Sequence, residues 1–288
     1  MIIRNFFLLF FSCVLIGEIR TVDSFKDIET ELLNLGSDAL VVFDIDEVLI
    51  TAVDQALKTP HKDTFRAIES EFLSRAKNDD QKKLLEYRMS LTYLYPNRTL
   101  VEKGIVSLIE EMQKQGVNVI GITRCRKGRY GIIPQVEQWR KEILWKNGID
   151  FNRGSFQDLK IDLNEIQQAN GSSPSFEEGL LFGKGISKDI LIDALIKRLD
   201  LQVKKVYIFD DFRTNLETLN HLQNYEVFPV EYIAAKQYLK PLSKRQARWQ
   251  LYHLLESGRW YDDQDIDEMG YFKGIFHYSI PSFFDMIF

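Results

Sequence analysis

VVFDIDEVLI, residues 41–50, sets two aspartates and a glutamate into an otherwise apolar run. With Ala39 and Leu40 in front of it, the stretch predicts a strand over 39–43 that is buried on both faces. Such a strand does not carry unpaired carboxylates cheaply, because an ionised group removed from water must be compensated. Asp44 and Asp46 stand two residues apart, so an extended chain turns both side chains the same way. A partner for them is expected where the strand ends.

Working outward, helical patterns alternate with short apolar strands. From about His61 to Met89 the spacing is helical, with Phe65, Ile68 and Phe72 on one face. A second helix starts near Leu100 and stops at Gly116, where strand VNVIGIT (117–123) begins at once. Residues 134–147 read as a helix, 149–178 as irregular and 179–183 as a short strand. Ile190, Leu191, Leu195, Ile196 and Leu199 make another amphipathic helix, followed by strand KVYIF (205–209) and a last strand near 226–233. Strands alternating with helices predict an α/β fold with a mainly parallel sheet covered on both faces. Ligands in such sheets bind beyond the carboxyl ends of the strands, so the residues just after each strand are the candidates.

After the first strand come Asp44 and Asp46, and after KVYIF come Asp210 and Asp211. Two acidic pairs on one sheet edge repel unless a cation joins them, and oxygen donors without nearby His or Cys favour Mg²⁺. Thr123, Arg124, Arg126 and Lys127 follow VNVIGI, and Lys188 precedes a helix. A hydroxyl, a lysine and a helix start together suit an anion. Nucleophile, metal and anion donors in one set fit phosphoryl transfer to an aspartate, in which hydrolysis is split into two easier steps.

VVFDIDEVLI resembles the first motif of the haloacid-dehalogenase-like (HAD) superfamily, a strand followed by Asp-x-Asp. NVIGIT is similar to its second motif, Lys188 in GISKDIL to its third, and YIFDDFRTN to its fourth, all in the family's order. The style is similar to secreted acid phosphatases and to an exported HAD-like family of intracellular bacteria. The resemblance implies a Rossmann-like parallel sheet with a helical cap inserted after the first strand. It implies Asp44 as nucleophile and metal ligand, and Asp46 as acid/base that binds metal through its backbone carbonyl. Thr123, Arg124 and Lys188 would hold the phosphoryl group. Asp211 would be a direct metal ligand, with Asp210 and Asn215 in support. Lys184 competes with Lys188 for the third motif, Asn215 stands where many relatives carry a further acid, and Glu47 is expected to be exposed or to support the site from behind. The implied activity is a Mg²⁺-dependent phosphatase acting on a small phosphate ester or a phosphoprotein. The alternative is a HAD-like binding or effector protein with little turnover. Dehalogenation is disfavoured because Asp46 serves a leaving oxygen.

The N-terminus differs in kind. MIIRNFFLLFFSCVLIG (1–17) puts Arg4 before an apolar run and turns polar at Glu18, the layout of a secretory signal. The run is shorter than the roughly 20 apolar residues that span a bilayer, so no stable membrane span is expected. The chain is expected to be exported, to the periplasm or beyond; a buried N-terminal helix is the alternative. The predicted organisation is a signal peptide at 1–20, a core at 38–51 and 98–240, a cap at 52–97, and an extension at 241–288 packed on the core.

Composition bounds the rest. The 288 residues, 45% hydrophobic, suffice for one substantial core with an insertion. A net charge of −5 disfavours a nucleic-acid partner. With the signal removed Cys125 stands alone, which excludes a disulfide framework, and Gly131 excludes a cysteine-phosphatase loop. The four histidines show no metal-ligand spacing. DDQDIDEMG (262–270) lacks the glycine and the final acid of a calcium loop. Asn97 and Asn170 would be glycosylation acceptors only in a eukaryotic secretory host. The aromatic tail from Tyr271 to Phe288 suits a partner or membrane surface, or packing against the domain.

Overall fold

A computed structural model describes residues 17–166 and 173–269. Residues 1–16 of the leader, the Asn170 acceptor and the aromatic tail lie outside these residues. The central strand β2 spans Ala39–Asp44. Before it come a short edge strand β1 (Arg20–Val22) and one turn of helix, α1 (Glu29–Leu32). After it the chain runs through β3 (Ile50–Ala52), helices α2 (Lys62–Leu73), α3 (Asp79–Met89) and α4 (Leu91–Leu94), and returns in β4 (Arg98–Leu100). Then follow α5 (Ile105–Lys114), β5 (Asn118–Thr123), α6 (Val136–Lys146), β6 (Lys160–Asp162), β7 (Ser175–Glu177) and β8 (Leu180–Phe182). The last part holds α7 (Lys188–Arg198), β9 (Lys205–Asp210), α8 (Arg213–Leu216), β10 (Glu226–Tyr232), α9 (Lys244–Ser257) and α10 (Asp263–Met269).

The eight-stranded sheet has the order β1-β10-β9-β2-β5-β8-β7-β6. Pairing is parallel from β1 to β8 and antiparallel at β7 and β6. This is the mainly parallel α/β sheet read from the sequence. The apolar run of β2 is buried because it divides between two cores. Val41 and Phe43 enter one with Tyr207, Phe209 and α5, while Leu40 and Val42 enter the other with Ile208 and α7. Phe43 stacks on Phe209 at 4.8 Å between ring centres. From β2 the chain steps to β5 and β8 on one side, then crosses to β9 and β10 on the other. The order reverses at β2, and the crevice beside a reversed strand is where parallel sheets take ligands.

Four local readings change. The helix expected from Leu100 starts at Ile105, and Leu100 itself closes β4. The helical pattern at 61–89 is two helices, because Asn78 caps a new start by accepting the Gln81 N–H at 2.9 Å. The stretch at 149–178 carries β6 and β7, strands of three residues each, too short to leave an alternating pattern. The described part of the C-terminal extension packs on the inserted helices, and this corrects its predicted place on the core. Ala247, Leu251, Leu254 and Leu255 of α9 bury against Phe65, Ile68 and Phe72 of α2 and Leu85 and Met89 of α3. Asp54 fastens the return: its carboxylate accepts the Trp260 Nε1–H at 2.9 Å and the Asp263 N–H at 2.8 Å. The insert joins the sheet domain through the antiparallel pair β3–β4.

Candidate functional site

The crevice is built by register. Phe43 pairs with Phe209 and Asp44 with Ile122, so the ends of β2, β9 and β5 stop side by side. Asp44, Asp210 and Thr123 are the last residues of those strands. Lys188 opens α7, the helix after β8. That helix approaches closely because residue 183 is glycine, where a Cβ would meet the Leu191 side chain at 2.1 Å.

Lys188 is the hub. It is 3% exposed, and its Nζ lies 2.9 Å from Asp44 Oδ1 and 2.5 Å from Asp210 Oδ2. Burial works against the ammonium, but the two carboxylates outweigh it and hold its pKa above the usual lysine range. Lys184, its competitor in the sequence, is exposed at the cavity wall. Asp210 is fully buried and saturated. It accepts from the Phe212 N–H at 2.9 Å, from Asn215 Nδ2 at 3.0 and 3.1 Å, and from Lys188. Asn215, where an acid was the commoner expectation, thus serves to hold Asp210.

Asp211 is placed differently. One oxygen of each of Asp44, Asp210 and Asp211 lies within 4.8 Å of the other two. Asp210 has its acceptor capacity filled, whereas Asp211 Oδ1 is buried with no hydrogen-bond partner. Burial pushes the Asp211 carboxyl far up, and Asp44 and Asp210 push it further. Burial raises Asp44 as well, with Lys188 opposing. An orphaned buried oxygen among all-oxygen donors fits a hard divalent cation, held chiefly by Asp44 and Asp211.

Beyond Asp44 the chain turns sharply. Glu47 adopts φ 63°, an uncommon conformation for a residue with a side chain, and its N–H bonds the Ile50 carbonyl at 2.7 Å. Glu47 is buried, which corrects any exposed placement. It accepts from Thr51 Oγ1 at 2.8 Å and from the Thr59 N–H at 3.0 Å, so it ties the turn to the insert. Asp46 does not join the carboxylate group. Its side chain is gripped by Arg140 through two bonds, 2.8 and 3.0 Å long. Burial pushes the Asp46 carboxyl up, but the guanidinium outweighs this and holds it below the usual range.

Arg140 was missed in the sequence, though a signal existed. Val136, Trp139, Arg140 and Leu144 form the buried stripe of α6, and an arginine on an apolar stripe needs a partner. Arg98 and Arg140 both lie about 5 Å from the centre of the Trp139 ring, at 5.0 and 4.9 Å.

Asp44, Asp46, Glu47, Arg140, Lys188 and Asp211 line a cavity of about 840 Å³ between the sheet edge and the insert. Thr123 contributes a buried hydroxyl that accepts the Cys125 N–H at 3.1 Å and keeps its own proton to donate. Arg124 lines the same cavity as an exposed side chain. Asp44, Lys188 and Asp211 therefore meet at the strand ends, and Thr123 lines the same cavity. Among the described residues no helix is long and apolar enough to cross a membrane.

Comparison with known proteins leads to one family. The chain is 25% identical over 267 residues to "Uncharacterized protein RP296" of Rickettsia prowazekii, covering 86% of this chain and 89% of that protein. An "Uncharacterized protein" of Rickettsia felis is 26% identical over 189 residues, which is 63% of this chain and 64% of that protein. No solved structure matches the chain. The family described as "Protein of unknown function (DUF2608)" matches residues 21–265, nearly the whole described part, and the chain belongs to it.

Proposed function

We propose that the protein is a HAD-type phosphatase that hydrolyses phosphate monoesters through an aspartyl-phosphate on Asp44. The observation that carries this reading is the meeting of Asp44, Lys188 and Asp211 at the strand reversal, with one Asp211 oxygen buried and unpartnered. The inserted helices with α9 would act as the cap. A Mg²⁺ ion held by Asp44 and Asp211 would neutralise charge on the phosphoryl group.

The chain's own residues would do the rest. Asp44 attacks phosphorus and the bond to the leaving oxygen breaks. Lys188 and the Thr123 hydroxyl hold the transferring oxygens. In the second step Asp46 takes a proton from water as the water attacks phosphorus, and Asp44 is released. Asp46 paired with Arg140 is ionised, as that step requires, while the guanidinium on both its oxygens weakens it as a base. It is ill suited to protonate the leaving oxygen, whose proton would then come from solvent. Export through the N-terminal leader is part of the same reading, carried by the sequence alone.

The Arg140 grip also favours a second reading, a binding or effector protein with little turnover, because an occupied acid slows release of poor leaving groups. A panel of phosphate esters assayed with Mg²⁺ and with chelator separates the two. Mg²⁺-dependent turnover supports the phosphatase; no turnover on any ester supports the binder.

A further inference from the structure

Phosphoryl transfer needs the cations at the strand ends, yet the cavity holds more. Lys62 and Arg66 line it from α2, Arg124 from the loop after β5, and Lys184 from the loop after β8. Among the described residues none of these four lies within 4 Å of a carboxylate oxygen. Two other cations of the cavity wall are answered by acids outside it: Arg126 pairs with Glu86 and Lys236 with Glu231, each at 3.7 Å. Lys62 and Arg66 are one helical turn apart, a spacing at which like charges repel and weaken a helix.

The acids of the cavity answer these charges only at a distance, Lys62 adding to the lowering of the Asp46 carboxyl. Asp46 is taken by Arg140, Glu47 by Thr51 and Thr59, and Asp44 and Asp211 belong to the strand-end cluster. Asp63 lines the cavity beside Lys62, and Glu69 of the same helix feels the Arg66 charge without an ion pair to it. Cations without an ion-pair partner that line one cavity from the insert and from the sheet domain are what an anionic ligand would compensate.

We propose that the cavity selects phosphate esters whose leaving group carries a second anionic group, a carboxylate or another phosphate, held between Lys62 and Arg66 of the insert and Arg124 of the sheet domain. This rests on the phosphatase reading for which end reacts, but not for binding. The selecting residues lie on the insert, so substrate choice is separated from the chemistry at the strand ends.

The test is calorimetry with Mg²⁺ present, on phenylphosphonate and its para-carboxy derivative, which resist hydrolysis. The wild type should bind the carboxylated probe about tenfold tighter, as one added charge-assisted contact gives. Lys62→Glu with Arg66→Glu should erase the preference; both side chains are exposed, so the fold has little stake in them. Lys82→Glu with Lys83→Glu, the same charge change away from the cavity, should keep it. Equal binding of the two probes, binding of neither, or a preference that survives Lys62→Glu with Arg66→Glu overturns the proposal. If the preference holds while neither phenyl phosphate nor its para-carboxy derivative is hydrolysed, the phosphatase reading falls and the cavity assignment stands.

Discussion

Arg140 holds Asp46 by two parallel hydrogen bonds, Nη1 to Oδ1 at 2.8 Å and Nη2 to Oδ2 at 3.0 Å. A carboxylate held this way stays ionised and has no proton to give, and the same pairing weakens it as a base. Esters whose leaving groups need no protonation should therefore react fastest. Para-nitrophenyl phosphate is expected to exceed a simple alkyl phosphate by about a hundredfold or more in kcat/KM, the range a missing acid commonly leaves. Arg140→Gln should narrow the gap. Rates that do not depend on the leaving group would return the donor role to Asp46.

Lys188 keeps two carboxylates together, one of them fully buried. Lys188→Met leaves Asp210 with an uncompensated charge inside the protein. The expected loss is about 3–5 kcal/mol of stability, together with loss of any turnover. Urea denaturation measures the first; a change within a few tenths of a kcal/mol would mean that the ion pairs carry little.

Asp211 is the reverse case, a group that strains the ion-free site. Its Oδ1 is buried without a partner, and its carboxyl is pushed up by burial and by Asp44 and Asp210. Asp211→Asn should raise the melting temperature of the ion-free protein. It should also abolish most of the stabilisation that Mg²⁺ gives, which for a bound ion at about 100 times its Kd is roughly 2.7 kcal/mol. An unchanged Mg²⁺ titration would remove Asp211 from the ligand set.

What the sequence made legible follows from where the information sits. Asp44, Thr123, Lys188 and Asp211 each fall at the end of a strand or the start of a helix, and in a parallel sheet those positions share one edge whatever the loops between them do. Arg140, Lys62 and Arg66 reach the site from elements whose approach is set by tertiary packing, and no local pattern encodes that approach. Asp46 was legible as a residue but not as a bound one, because its partner lies 94 positions away. The seat of α9 was hidden for a similar reason: its apolar stripe fits any apolar face, and only packing chooses α2 and α3 over the sheet.

Asp54 gives the pH dependence of that packing. It is buried, and burial pushes its carboxyl from 3.8 up to about 6 although Trp260 and Asp263 donate to it. The folded chain then holds this proton more tightly than the unfolded one. The stability so gained is present below the unfolded value and is lost as pH rises through about 6. The melting temperature of the wild type relative to Asp54→Asn should fall between pH 4 and pH 7. A difference that stays flat or grows with pH contradicts the assignment.

The most direct measurement is acid quench of the protein during turnover of para-nitrophenyl phosphate with Mg²⁺, followed by digestion and mass spectrometry. A phosphoryl group should be found on the peptide that carries Asp44, and it should vanish, with turnover, in Asp44→Asn. Turnover with the group on another residue, or turnover that persists in Asp44→Asn, would contradict the assignment of Asp44 as the nucleophile.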